Sequence, residues 1–376
     1  MKINKLKFGL FCLFIISYSP LFSQSKKIIK LMNLAKQEMT DTNYLGAINH
    51  LNEVLEKDEI NIDALFLRGI CFDSLSQSTE AIQDYNKVIA FSSNIEVYKN
   101  RALLRYKTGE IFQGVLDLEK YCNYNPKDKE AYFAIADGYF YLMNYTKALF
   151  YLGKVIELDP YDTDAYILIG WIKFLNNDYG GSIVEYSKTL DINPKIISAY
   201  VNRGIAKQEL QDYKGAISDF DKAILAYSDT SNINDNFKVI VILQRVSSVL
   251  VNYDYKMNIS LLFVNRAIIK LKIKDYHGAT EDCNKAIELN PKLIEAFNTR
   301  GNIKIETEDY NGALKDFNSA LEINSQNHLP LFNRGRLKFK LGDITGACSD
   351  WRNALQSLEN SELKDEINKL IIDTCN

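Results

Sequence analysis

A six-residue string returns along this chain at a fixed interval. Ala199 to Gly204 reads Ala-Tyr-Val-Asn-Arg-Gly, and variants of it occupy Leu262 to Ala267, Ala296 to Gly301 and Pro330 to Gly335, the last three 34 residues apart. Aligning on its last, small residue puts Ala35, Gly69, Ala102, Ala136, Gly170, Gly204, Ala267, Gly301 and Gly335 in register. Twelve residues on, a second small residue follows each: Ala47, Ala81, Gly114, Ala148, Ser182, Ala216, Ala279, Ala313 and Ala347. Four of the six prolines, Pro126, Pro160, Pro194 and Pro291, share one further position. A period between about 20 and 50 residues confines a chain to stacked supersecondary units, because one unit alone cannot bury its apolar face.

Within each unit, apolar residues recur at spacings of three and four on both sides of a short break, such as Asp212 with Tyr213 or Asp309 with Tyr310. Each unit therefore reads as two antiparallel helices whose small residues mark a close crossing, with proline ending the second. Only 18 glycines and 6 prolines in 376 residues disfavour all-β folds, which need many tight turns.

These offsets of aromatic, small, tyrosine, alanine, aromatic and proline residues resemble the tetratricopeptide repeat family. The resemblance covers residues 28 to 361 as nine repeats and implies an all-α, right-handed superhelical solenoid of antiparallel helix pairs. Repeats one to six take 28–230 and repeats seven to nine 260–361, separated by an insertion at 231–259 that reads as an extra helix beside the stack, with a functional arm as the alternative. The second repeat is one residue short, a gap assigned to Ser76 to Glu80. Residues 362–376, with apolar Leu363, Ile367, Leu370 and Ile371, read as a C-terminal capping helix.

Six repeats carry arginine before the first small residue: Arg68, Arg101, Arg203, Arg266, Arg300 and Arg334. Sixteen residues later the same six carry Asp84, Asp117, Asp219, Asp282, Asp316 and Asp350, whereas Leu34, Ile135 and Ile169 are matched with His50, Tyr151 and Glu185. The two positions vary together, as a guanidinium at a packed interface with a compensating carboxylate requires. The alternative is a basic stripe for an anionic ligand. The three histidines show no zinc-protease spacing, and no phosphate-binding glycine loop is present, so an enzyme is not expected. No cofactor or metal is expected either.

Residues 1–23 have the order of a secretory signal: Lys2, Lys5 and Lys7, the apolar run Phe8 to Ile16, then Ser17 to Ser23 with Pro20. Cleavage after Ser23 would leave Gln24 first. The apolar run is shorter than the roughly twenty residues of a spanning helix, so no stable membrane span is expected. Removing those three lysines from 45 cationic residues leaves 42 against 48 acidic ones, which argues against a nucleic-acid partner. Export to the periplasm or envelope of a Gram-negative bacterium, or secretion, is the expected location. Five cysteines remain, Cys71, Cys122, Cys283, Cys348 and Cys375, an odd and scattered set from which no disulfide framework is expected.

In tetratricopeptide arrays the first helix of each pair lines a concave groove. Carried over position by position, repeats three to five give Lys99, Asn100, Phe133, Asp137, Phe140, Tyr141, Ile167, Trp171 and Phe174 as the lining. So aromatic a set suits a peptide or protein partner, although single rings could instead pack on neighbouring helices. Some family members hold acidic chaperone tails in a clamp of lysines, asparagines and an arginine. Here Asn302 and Asn333 match in part, but Asn298 stands where the first lysine belongs, which disfavours that ligand. The expectation is a non-enzymatic interaction scaffold; the alternative is a self-associating structural subunit of an envelope assembly.

Overall fold

The computed structural model describes residues 26–228, 259–358 and 362–375. Its nineteen helices follow in pairs: α1 (Lys26–Thr40) with α2 (Tyr44–Leu55), α3 (Ile62–Ser74) with α4 (Ser78–Phe91), α5 (Glu96–Thr108) with α6 (Ile111–Tyr124), α7 (Lys129–Tyr141) with α8 (Tyr145–Leu158). Then come α9 (Thr163–Leu175) with α10 (Tyr179–Ile192), α11 (Ile197–Glu209) with α12 (Tyr213–Ser228), α13 (Ile259–Lys272) with α14 (Tyr276–Leu289), α15 (Ile294–Glu306) with α16 (Tyr310–Ile323), and α17 (His328–Lys340) with α18 (Ile344–Gln356). A single helix, α19 (Glu362–Thr374), follows the ninth pair. No strand occurs among the described residues. The expected signal at 1–23 lies outside them, as does the insertion except for Ile259, the first residue of α13.

The chain divides between Ala165 and Tyr166 into two compact units, one of residues 1–165 and one of 166–376. In the first, a continuous core runs from Ile28 through Leu51, Leu65 and Tyr85 to Leu104, all buried. In the second, fully buried rings recur at one repeat position: Tyr186, Phe220, Phe317 and Trp351. Each packs on the small residue of its own first helix. A methyl group added to Gly301 would lie 2.6 Å from the Phe317 ring, and one added to Gly335 would lie 2.5 Å from the Trp351 indole. A methyl group at either glycine would require the ring to shift, and a larger side chain would force the pair apart, which is why the position holds only glycine or alanine along the chain.

The turn inside each pair is built the same way. Thr42, Ser76, Met143, Asn177, Gln211, Lys274 and Glu308 all have φ between 57° and 62°, while glycine fills the position at Gly109 and Gly342. A left-handed backbone costs a non-glycine residue about 1 kcal/mol, so the turn is imposed by its surroundings. Part of that comes from the N-cap that follows: the side chains of Asn43, Asn144, Asp178, Asp212, Asp275, Asp309 and Asp343 each accept the backbone N–H three residues on. Satisfying one otherwise orphaned helix donor in this way is worth on the order of 1 kcal/mol per cap.

The short second repeat is corrected by these turns. Ser76 occupies the left-handed position and Ala81 keeps its spacing from Gly69, so nothing is missing between Ser76 and Glu80. The lost residue falls instead at the junction of α4 and α5. There Ile95 stands at the N-cap of α5 in helical conformation without a side-chain cap, unlike the capping Asn61 of α3 or Asp128 of α7.

Candidate functional site

All six arginine–aspartate pairs form. In Arg300 with Asp316, Nε donates to Oδ2 at 2.9 Å and Nη2 to Oδ1 at 2.7 Å, and the other five repeat this two-pronged geometry. The aspartates are buried while each guanidinium keeps an edge at the surface. Hydrogen bonding to Asp316 raises the Arg300 pKa above its ordinary value. The remaining nitrogen, Nη1, reaches back to the second helix of the preceding repeat: Asn52, Asn86, Ser187, Asp221, Asn284 or Asn318, at 2.6 to 3.0 Å. One side chain thus ties three helices. Arginines committed this way are poor candidates for an anion-binding stripe.

A second cation at the same carboxylates was not anticipated from sequence. Lys207, Lys270, Lys304 and Lys338 approach Asp219, Asp282, Asp316 and Asp350 at 2.8 to 2.9 Å, and Arg105 approaches Asp117 at 2.7 Å. The signal was a basic residue four positions after five of the six arginines; after Arg68 that position is Phe72. Where the arginine is missing the seam is rebuilt. Repeat five pairs Glu185 with Lys173 at 2.6 Å and with Lys188 at 3.0 Å. Repeat four replaces it with Tyr139 stacked on Tyr151, centroids 5.8 Å apart, both hydroxyls donating to Glu119. Burial, reinforced by the Glu119 bond, pushes the Tyr151 hydroxyl up.

The residues expected to line the groove are distributed over both units. In the first, Lys99 and Asn100 on α5 and Phe133, Asp137 and Phe140 on α7 are half-buried, and Tyr141 is 54% exposed. Lys99 is held by Asp128 at 2.6 Å and lies over the Tyr121 ring. Burial pushes the Asp128 carboxyl up, but Lys99, the Ala131 N–H and the Tyr121 hydroxyl outweigh it, so its pKa is lowered. Phe140 packs on Tyr145 of its own turn, 5.8 Å away. In the second unit Ile167, Trp171 and Phe174 of α9 are half-buried. Phe174 meets Tyr179 edge-on at 5.0 Å and also packs on the core around Ile197 and Val201. Tyr141, Phe133 and Trp171 are therefore the rings with most to offer a partner, while Phe140 and Phe174 help to close their turns.

The cysteines correct one expectation. Cys348 and Cys375 form a disulfide, so the chain does carry a cross-link. The odd count hid it because the other three, Cys71, Cys122 and Cys283, are buried singly. Burial raises their thiols to about 11 for Cys71 and about 12 for Cys122 and Cys283, which makes them poor nucleophiles. Among the described residues no cluster of histidine, cysteine and carboxylate side chains is arranged to hold a metal ion, and no helix is long and apolar enough to cross a membrane. Among the described residues, one open concavity of about 350 Å³ lies beside Arg105, Leu116 and Glu119, and another of about 420 Å³ beside Pro291, Phe297 and Ile323.

A stack of helix pairs tied by one recurrent cation defines an α-helical repeat protein. Sequence profiles described as tetratricopeptide repeat match residues 63–91, 129–162, 197–230, 262–293 and 294–327, and the chain is a tetratricopeptide repeat protein of about nine repeats. A solved structure of the C-terminal part of a TPR repeat-containing protein from Cytophaga hutchinsonii superposes with a TM-score of 0.57 at 16% identity, covering 71% of this chain and 98% of that one. Pseudomonas aeruginosa pilF gives 0.46 at 20% identity, over 64% and 96% of the two chains. YrrB, titled a TPR protein with an unusual peptide-binding site, gives 0.37 at 20% identity, over 58% and 98%. No curated protein matches the chain in sequence. The family is generally a non-enzymatic protein-interaction fold.

Proposed function

We propose that this chain is an exported, non-enzymatic scaffold whose first helices present aromatic side chains to an extended peptide or a protein segment. The observation that carries the reading is the division of labour between the helix faces. Polar groups at the seams are consumed by arginine–aspartate ties in six repeats, by Tyr139 and Tyr151 on Glu119 in repeat four and by Lys173 on Glu185 in repeat five, whereas Tyr141 on α7 stays exposed and Phe133 and Trp171 are only half covered. Partly accessible aromatic rings on a rigid helical support are the usual anchors of peptide recognition.

A peptide library displayed against the mature chain supplies the test. For a selected peptide, Trp171→Ala should weaken binding roughly thirtyfold, the equivalent of about 2 kcal/mol, with helical circular dichroism and Tm nearly unchanged. If binding survives while Tm falls by several degrees, Trp171 is a packing residue and the assignment of α9 to the binding surface is wrong.

Export is supported by the order of charge, apolar run and small residues in 1–23 and by the Cys348–Cys375 disulfide, since such bonds persist in oxidising compartments. Material recovered from the periplasm of the host should begin at Gln24 when its N-terminus is sequenced. Recovery of the chain in the cytosol with Met1 still attached would defeat the proposal.

A further inference from the structure

The last seam of the array is built unlike the others. Where a repeat with an arginine follows, the preceding second helix offers an acceptor to Nη1, such as Asn284 or Asn318. On α18 that repeat position is Arg352, which can only donate, and on α19 the arginine's slot is Asn368. The ionic tie is therefore absent from this seam. In its place Cys348, buried on α18, is bonded to Cys375 just beyond the end of α19, and Arg352 Nη2 donates to the Cys375 carbonyl at 3.4 Å. Apolar packing adds to the hold: Ile367 is fully buried, and Leu363, Leu370 and Ile371 are half-buried against the cluster of Trp351, Ala354 and Leu358.

We propose that the Cys348–Cys375 disulfide is a redox latch that holds α19 over the end of repeat nine, so that a dithiol reductant opens this end of the array and a disulfide oxidant closes it by the reverse exchange, leaving as its dithiol. A thiolate of the reductant attacks Sγ of Cys375, the less buried of the two residues, forming a mixed disulfide and expelling Cys348 as a thiolate that takes up a proton. The second thiol of the reductant then attacks its own sulfur of the mixed disulfide, releasing Cys375. The protein gains two electrons and two protons, and the dithiol leaves as a disulfide. Once released, α19 is a 13-residue helix attached by one apolar stripe, and helices of that length are marginal in water without tertiary support. Before export, in a reducing cytosol, the end stays open; after export it locks. The latch stands independently of the peptide-binding reading.

Hydrogen exchange of the mature full-length chain, oxidised and after dithiothreitol, tests this. Amides of α19 should exchange on the order of tenfold faster after reduction, those of α13 to α16 should be unchanged, and reoxidation should restore protection. Cys375→Ser should match the reduced protein and show no response to dithiothreitol. Equal protection of α19 in both states would overturn the latch, as would acceleration spread over α13 to α16, which marks a general staple. Alkylation of Cys348 and Cys375 in oxidised protein, unfolded without reductant, would show that the bond itself does not form.

Discussion

Replacing Asp316 with leucine is expected to destabilise the protein by about 3 kcal/mol, and by more than replacing Arg300 with methionine. Breaking a buried ion pair from one side typically costs about 3 to 5 kcal/mol, because the surviving charge is left without compensation. Here two cations survive, Arg300 and Lys304, at 2.7 and 2.8 Å from the carboxylate and with side chains only 20% and 24% exposed. They would repel one another across an apolar leucine. Arg300→Met is milder because Lys304 stays to balance Asp316, which remains paired; about 1 to 2 kcal/mol is expected from the lost bonds to Asp316 and Asn284. Urea unfolding of both single variants and the double variant measures the order and the coupling. Equal single costs, or strict additivity, would mean that the co-occurrence of arginine and aspartate along the chain has another cause.

Trp351→Ala should cost about 3 to 5 kcal/mol, the range for deleting a fully buried large ring. The indole has no exposed surface, packs on Gly335 and lies 5.9 Å from the Phe339 ring, and its Nε1–H donates to the Phe332 carbonyl at 3.4 Å. The same repeat position holds Phe220 and Phe317 elsewhere, so Trp351→Phe should cost only about 1 to 2 kcal/mol. Because each repeat of a solenoid contacts only its neighbours, the loss should appear as faster exchange in α17 to α19 with α10 to α12 unaffected. An alanine variant that unfolds at the wild-type urea midpoint would show that the ring is not a core element.

Most of the architecture was legible because stacked units repeat one solution, so nine weak patterns reinforce each other. The arginine–aspartate ties could be read from their joint presence in six copies and joint absence in three. Features that depend on one place were harder. Cys348 and Cys375 are 27 residues apart, one on a second helix and one after α19, and no periodicity marks them as partners. The missing residue of repeat two could have been placed from the twelve-residue spacing of Gly69 and Ala81, which leaves no gap before Ala81, and the left-handed Ser76 agrees with it. For the candidate site, helix position told which residues share a face but not which rings are already engaged. Phe140 and Phe174 are taken up by Tyr145 and Tyr179, and a tyrosine opening the second helix was the available clue.

The tie between Arg266 and Asp221 spans the place where the sequence register breaks, and it has the geometry of the ties at unbroken junctions. Helix α13 thus packs on α12 and is tied to it by the same kind of bond as at unbroken junctions, although thirty residues separate them in sequence. A backbone severed within 229–258 would leave two fragments that still carry complementary halves of the α12–α13 contact, so the protein holds within one polypeptide the makings of a two-chain complex.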